Sequence, residues 1–254
     1  MYTSLEAELH DLFWDAEGPP AELPLIRDFL GQHPGRSLEF GCGSGRLLLP
    51  LLKEGFDIEG LDNAPEMLSL CRRHAAKQFL NPTLHGAEVE EFQPSQPYQA
   101  IAVPAFTLQL LPDPPAALTH LRQWLSDGGG LYLTVFEPLA ELEGDLPENE
   151  SYLDHQLTLP DGTDASIHTR HELDRANRIL TRHHHYELKR DGESLRAHDS
   201  TQVMHYFEEG ELESALVLAG FELKRYLIDF GMNEEEDETA GITTYHAVAK
   251  EGAA

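Results

Sequence analysis

The chain of 254 residues carries a formal net charge of −27 and an apolar share of 41%. These values leave room for one sizeable α/β domain with an inserted subdomain and exclude wholesale disorder. So much negative charge repels a phosphate backbone, which argues against a general nucleic-acid binder; no apolar run approaches the roughly 20 residues that span a bilayer.

The N-terminal stretch "MYTSLEAELHDLFWDAEG" is expected to be a helical segment attached to the core. Its Glu6, Glu8 and Asp11 stand where a signal peptide carries positive charge, so a cytoplasmic protein is expected. "RSLEF" (36–40) reads as a strand. "GRLLLPLLKEG" (45–55) reads as a helix, with Leu47, Leu48, Leu51 and Leu52 on one face and Gly55 closing it. "FDIEGLD" (56–62) is a second strand, and "APEMLSLCRRHAAKQF" (64–79) a second helix with Pro65 early, where a missing N–H costs little. "PTLHG" and "YQAIAVPAF" (98–106) supply two more strands, the latter apolar enough to be buried on both faces. "PPAALTHLRQWLSDGGG" reads as a helix stopped by glycines, and "GLYLTVFEP" as a fifth strand. This alternation predicts a parallel sheet with helices on both faces.

From Ser151 to Phe207 the pattern changes to alternating segments joined by "PDGT", "DRAN" and "RDGE", the turn chemistry of an antiparallel meander. Afterwards "EEGELESALVLAG" restores a helix, while "FELKRYLIDF" and "TTYHAVAK" supply two last strands joined by the acidic "NEEEDETAG" loop. "PLAELEGDLPENE" and "NEEEDE" read as solvated acidic runs. The expected domains are a cofactor-binding core over 1–138, an inserted antiparallel β subdomain over 151–206, and a return to the core over 207–254.

The chemistry centres on "LEFGCGSGR". A glycine-rich turn between strand and helix lets a ligand approach the main chain. The dinucleotide fingerprint requires G-x-G-x-x-G, but here the glycines are Gly41, Gly43 and Gly45, and Arg46 takes the place of the third. Glu39, just upstream, is unwelcome beside a pyrophosphate and welcome beside an ammonium or sulfonium group. Asp62, ending the second strand, stands at about the spacing that suits a ribose diol. A nucleoside with a cationic amino-acid tail satisfies both. The structural alternative is a turn without a ligand, with Asp62 capping the next helix.

"LEFGCGSGR" followed by "GLDNAPEML" resembles the class I S-adenosylmethionine-dependent methyltransferases, whose first motif is E/D-x-G-x-G-x-G. "YQAIAVPAFTLQLLPD" and "LSDGGGLYLTVFEP" are similar to that family's fourth- and fifth-strand segments. The resemblance implies a Rossmann-like seven-stranded sheet with its last strand antiparallel, an inserted antiparallel β subdomain, and S-adenosylmethionine as cofactor with S-adenosylhomocysteine as product. It implies that Glu39 holds the amino end, that Gly41, Cys42, Gly43, Gly45 and Arg46 form the turn beneath the methionine and ribose, and that Asp62 holds the ribose hydroxyls. Asn63 and Met67 would line the adenine. The segment Ala87, Glu88 and Val89 would reach its amino group, with Ala87 where the family commonly has Asp and Glu88 or Glu90 as substitutes. Pro104, Ala105 and Phe106 would lie beneath the sulfonium.

For the acceptor, the expected contacts are Trp14, Gln109, Arg170 and Arg182. Gln109 replaces a His common in some relatives, and the two arginines are the candidates of the inserted subdomain for an anionic group. In related enzymes such an insert roofs the active site or pairs two subunits, so a homodimer through it is a further expectation. Surface charge balance is the alternative for the arginines. "TRHHHYEL" puts His183 and His185 on one strand face and His184 on the other, so the three cannot converge; His168, His171 and His198 could add a ligand, but no metal is assigned. Cys42 and Cys71, the only cysteines, make neither a disulfide framework nor a zinc site. The tetrapeptide typical of nucleic-acid amine methylation is absent, "VPAF" standing in its place. The expected function is methylation of a small-molecule N- or O-acceptor. A non-catalytic cofactor-binding protein and a nicotinamide-dependent oxidoreductase stay open as alternatives.

Overall fold

The computed structural model describes residues 4–16, 18, 20–231 and 241–252. In chain order these form α1 (Ser4–Ala16), α2 (Glu22–Gln32), β1 (Ser37–Phe40), α3 (Leu48–Lys53), β2 (Ile58–Asp62), α4 (Pro65–Lys77), β3 (Leu84–Gly86), β4 (Tyr98–Val103), α5 (Pro114–Trp124), β5 (Leu125–Phe136) and α6 (Leu139–Leu142). The strands β6 (Tyr152–Thr158), β7 (Asp164–Asp174), β8 (Ile179–Arg190) and β9 (Glu193–His205) follow, then α7 (Glu211–Leu218), β10 (Phe221–Ile228) and β11 (Ile242–Ala249). The chain divides into two compact units: Pro20–Glu137 with Phe207–Ala254, and Met1–Pro19 with Pro138–Tyr206.

The first unit is built on a seven-stranded sheet in the order β10-β11-β5-β4-β1-β2-β3. β1, β2, β3, β4 and β5 run parallel, and β11 is antiparallel to both β5 and β10. The expected fold class is present, reversed final strand included. Successive strand residues face opposite sides, so both sheet faces carry a core. Leu38, Phe40, Ile101, Val103, Leu131 and Leu133 pack under α5 and α7, while Ala100, Ala102 and Tyr132 pack with Ile26 and Phe29 of α2 and the leucines of α3. Each fully buried side chain of this size contributes about 1.5–3 kcal/mol. Trp124 of α5 meets Phe40 and Phe92 edge-on, at centroid distances of 6.2 and 5.0 Å, the geometry aromatic rings prefer.

Two boundaries differ from the sequence expectation, and one helix is additional to it. The helix expected over 45–55 is continuous only over Leu48–Lys53, because the glycine turn uses the preceding residues. The helix expected through "LSDGGG" ends at Trp124, and those residues already belong to β5. The glycines there admit a neighbour: a Cβ on Gly130 would lie 2.5 Å from the His33 ring. Helix α2 was not anticipated at all. Of the "NEEEDETAG" loop (233–241), residues 233–240 lie outside the described residues.

The second unit pairs α1 with a four-stranded antiparallel sheet, β6-β7-β8-β9. Its three hairpins fall at "PDGT", "DRAN" and "RDGE", as the turn chemistry predicts. Leu5, Leu9 and Phe13, spaced for one helix face, pack on Ala165, Ile167 and Tyr186. The N-terminal helix thus groups with the insert, where the sequence reading attached it to the core. No helix of the described residues is long and apolar enough to cross a membrane.

Candidate active site

Strand β1, beside the central strand β4, places Glu39 in register with Gly60 of β2 and Ala102 of β4. The side chain is buried, and its Oε2 has no hydrogen-bond partner among the described residues. Burial pushes the Glu39 carboxyl well above the ordinary carboxylate range; the negative charge of Glu22 adds to this, Arg46 opposes it, and Asp62 adds again. A buried acceptor left unmet costs about 1–3 kcal/mol, so its persistence points to a donor supplied from outside, and its chemistry suits a cation.

The three glycines serve different ends. At Gly41, with φ +78°, a Cβ would sit 2.3 Å from Thr107 Oγ1, so the residue is bare to let the β4 connection close in. Gly45 lies against Cys71 Sγ and Leu49. At Gly43, with φ +50°, a Cβ would meet nothing within 4 Å, so this is the position where the backbone faces open space. Its N–H donates to Asp62 Oδ2 at 2.8 Å, and Ala64 N–H donates to Asp62 Oδ1 at 2.8 Å. Asp62 is therefore aimed by two backbone amides, and an ionised carboxylate can accept about four hydrogen bonds. Cys42 turns away from this side: its sulfur is buried, and a Cβ on Gly60 would touch it at 2.7 Å.

Asn63 and Glu88 come together, with Asn63 Nδ2 donating to Glu88 Oε2 at 2.9 Å, both exposed. Glu90 is exposed, Ala87 half-buried, Val89 and Met67 buried. At the end of β4, Pro104 is buried, and Ala105 and Phe106 take consecutive left-handed conformations at φ +50° and +63°. Such conformations cost about 1–3 kcal/mol each for residues with side chains and cluster at functional sites. The Phe106 ring packs on Phe136 at 5.4 Å.

Glu22, at the start of α2, is the residue sequence reasoning missed. It is buried, accepting from Ala105 N–H at 3.1 Å, from the Thr134 hydroxyl at 2.5 Å and from the Tyr132 hydroxyl at 3.3 Å. Burial raises its pKa, against the opposing effects of those three donors and of Arg46. An acidic residue in a first helical turn is ordinarily read as a surface group complementing the helix dipole, and no local signal separates this one from that.

The acceptor-side expectations fare differently. Gln109 is fully buried and braces the backbone: its Nε2 donates to Phe136 O at 2.8 Å, and its Oε1 accepts from Phe136 N–H at 2.7 Å. Both ends of the side-chain amide thus engage the backbone of Phe136. Arg182 pairs with the buried Glu141, its Nε 2.9 Å from Oε1, and Arg170 pairs with Glu172. Both arginines thus have an acidic partner within their own unit. Trp14 lies on α1, its ring 6.4 Å from that of His10.

The histidine strand is taken up by neighbours. His183 meets Thr201 at 3.1 Å and His185 meets Asp199 at 2.7 Å, while His184 meets Thr169 at 2.8 Å on the other face. Burial pushes His184 down to about 4. Among the described residues no three His, Cys, Asp or Glu side chains are grouped as a metal needs.

The same architecture recurs in solved structures. An S-adenosylmethionine-dependent methyltransferase from Clostridium acetobutylicum superposes with a TM-score of 0.79 at 15% identity, covering 96% of this chain and 97% of that one. SAM-bound CalS10, an amino pentose methyltransferase from Micromonospora echinaspora, superposes at 0.71 and 19% identity, covering 98% and 100%. The fold is that of the class I S-adenosylmethionine-dependent methyltransferases. The family described as "Methyltransferase domain" matches residues 17–225, and the chain belongs to it. It is also 31% identical over 138 residues, 51% of its length, to a ubiquinone biosynthesis O-methyltransferase of Xanthomonas campestris pv. campestris. The matched part is 58% of that protein, so the chain spans little more than half the length of this relative. The nicotinamide alternative falls with this membership.

Proposed function

We propose that the protein transfers a methyl group from S-adenosylmethionine to a nitrogen or oxygen of a small molecule. The observation that carries the reading is the unmet, buried Oε2 of Glu39 beside a turn that is open at Gly43. When bound, the cofactor supplies a methyl group activated by positive sulfur. The chain's own task is then mostly positioning. Glu39 accepts from the ammonium end, with Arg46 moderating the local negative charge. Asp62, already aimed by two amides, accepts from the ribose hydroxyls. Asn63 and Met67 border the adenine, and Ala87, Glu88 and Val89 form its far edge, with Glu88 nearest in chemistry to the missing Asp. Pro104, Ala105 and Phe106 form the floor at the reacting end.

No base is assigned to the acceptor. A neutral amine needs none, whereas a hydroxyl usually does. The relatives include an amino pentose methyltransferase and a ubiquinone biosynthesis O-methyltransferase, which supports a small organic acceptor over a macromolecule, as does the charge of −27 over nucleic acid. Pairing of two copies through the insert belongs to the same proposal, supported by exposed Leu153, Leu195 and Val203 on its sheet; light scattering tests it. The proposal also places the enzyme in the cytoplasm.

The test is transfer of isotope-labelled methyl from S-adenosylmethionine to a panel of amines, hydroxy acids and phenols. Label on one acceptor, with S-adenosylhomocysteine formed mole for mole, supports the enzyme. Tight cofactor binding with no transfer across the panel supports the non-catalytic alternative instead.

A further inference from the structure

We infer that Glu22 is a positioning residue for the methyl-transfer site, holding the strained Ala105–Phe106 turn in place from α2 through the Ala105 amide. The inference rests on the proposed function, which puts that turn beneath the reacting end of the cofactor.

Two consecutive left-handed residues with side chains do not hold themselves. Local restraint exists: Thr107 N–H and hydroxyl both donate back to Pro104 O, at 3.1 and 2.8 Å, and Phe106 leans on Phe136. None of these contacts holds the Ala105 amide. That N–H donates to Glu22 Oε2, while Oε1 of the same carboxylate takes the hydroxyls of Thr134 and Tyr132 on β5. One side chain therefore ties the end of β4 to β5 and to the first turn of α2. The carboxylate is engaged on both oxygens and 5% exposed, so it is neither a surface charge nor a group with an unmet demand like Glu39.

The arrangement also predicts which replacement works. Gln keeps the volume, its Oε1 can accept from the Ala105 amide, and its Nε2 can donate to the Thr134 and Tyr132 hydroxyls, whose protons rotate. Ala keeps none of this. Positioning therefore survives E22Q and is lost in E22A.

The experiment titrates the full chain, wild type, E22A, E22Q and T134V, calorimetrically with S-adenosylhomocysteine and with adenosine, which stops at the ribose. Amide exchange at Ala105 is followed alongside. The expected result is that E22A binds S-adenosylhomocysteine about tenfold more weakly, roughly one hydrogen bond's worth. Adenosine changes less than twofold, Ala105 exchanges faster, and E22Q restores both readouts. T134V, which removes one of the two hydroxyl donors to Oε1, shows the same selectivity at smaller size and serves if E22A does not fold. Equal loss on both ligands, no loss, or E22Q behaving as E22A overturns this inference alone. Wild-type protein that binds no S-adenosylhomocysteine overturns the proposed function and the inference with it.

Discussion

Glu39→Gln separates a ligand-holding carboxylate from a structural one, because the two roles predict opposite signs. Gln has the shape of Glu without its charge. Glu39 is buried with one oxygen unmet among the described residues, and burial raises its pKa, with the charge of Glu22 adding to the shift. The folded chain therefore holds a proton that the unfolded chain releases. Stability present below the ordinary carboxylate pKa is lost as pH rises from there through the folded pKa. E39Q has no such loss, so its melting temperature at pH 8 equals or exceeds that of wild type. Ligand binding goes the other way. A charge-assisted hydrogen bond contributes about 1.5–3 kcal/mol. Two unit charges 4 Å apart at an effective dielectric of 20 attract by roughly 4 kcal/mol before the cost of ionising a buried acid is subtracted. A surplus of about 1.5–3 kcal/mol is roughly tenfold to 150-fold in Kd for S-adenosylhomocysteine. The assay is calorimetric titration paired with thermal melts of the unliganded protein. An E39Q protein that melts several degrees lower yet binds with unchanged Kd refutes the reasoning.

Capture of an ammonium drives the Glu39 proton off, so wild-type affinity for S-adenosylhomocysteine climbs with pH, by up to tenfold per unit, above the ordinary carboxylate range; E39Q flattens that slope, and titrations at several pH values check it. Gly41→Ala and Gly43→Ala divide cleanly. The first puts a Cβ 2.3 Å from Thr107 Oγ1 and loses about 2–5 kcal/mol of stability in urea unfolding, left-handed strain and overpacking together. The second meets open space, loses only about 1–2 kcal/mol, and weakens S-adenosylhomocysteine at least tenfold. Gln109→Leu leaves the Phe136 N–H and carbonyl without the Gln109 side chain and costs about 2–4 kcal/mol in the same unfolding assay. Unchanged stability with a raised acceptor KM would return Gln109 to the substrate.

The glycine turn and its two carboxylates were legible because they are local: strand, turn and strand carry their chemistry within Arg36–Asp62. The insert was legible for the same reason, since three turn tetrapeptides mark three hairpins. Long-range packing was not. Glu22 acquires its meaning from Ala105 and Thr134, far along the chain, and Leu5, Leu9 and Phe13 from Ala165, Ile167 and Tyr186. Gln109 reads as an acceptor contact from sequence alone because its partner, the backbone of Phe136, has no sequence signature. The end of α5 was misread at "DGGG" because glycine signals a helix stop and a close strand approach alike; only the His33 ring above Gly130 distinguishes them.

The central claim is that the turn from Glu39 to Gly45, with Asp62, holds S-adenosylmethionine. Its most direct test is calorimetric titration of the wild-type chain with S-adenosylhomocysteine, NADH and NADPH in parallel, repeated on Asp62→Ala after a melt establishes that the variant is folded. The account predicts micromolar binding of S-adenosylhomocysteine, none of either nicotinamide, and at least a tenfold loss in the variant. Binding of a nicotinamide without S-adenosylhomocysteine, or an affinity indifferent to Asp62, contradicts it.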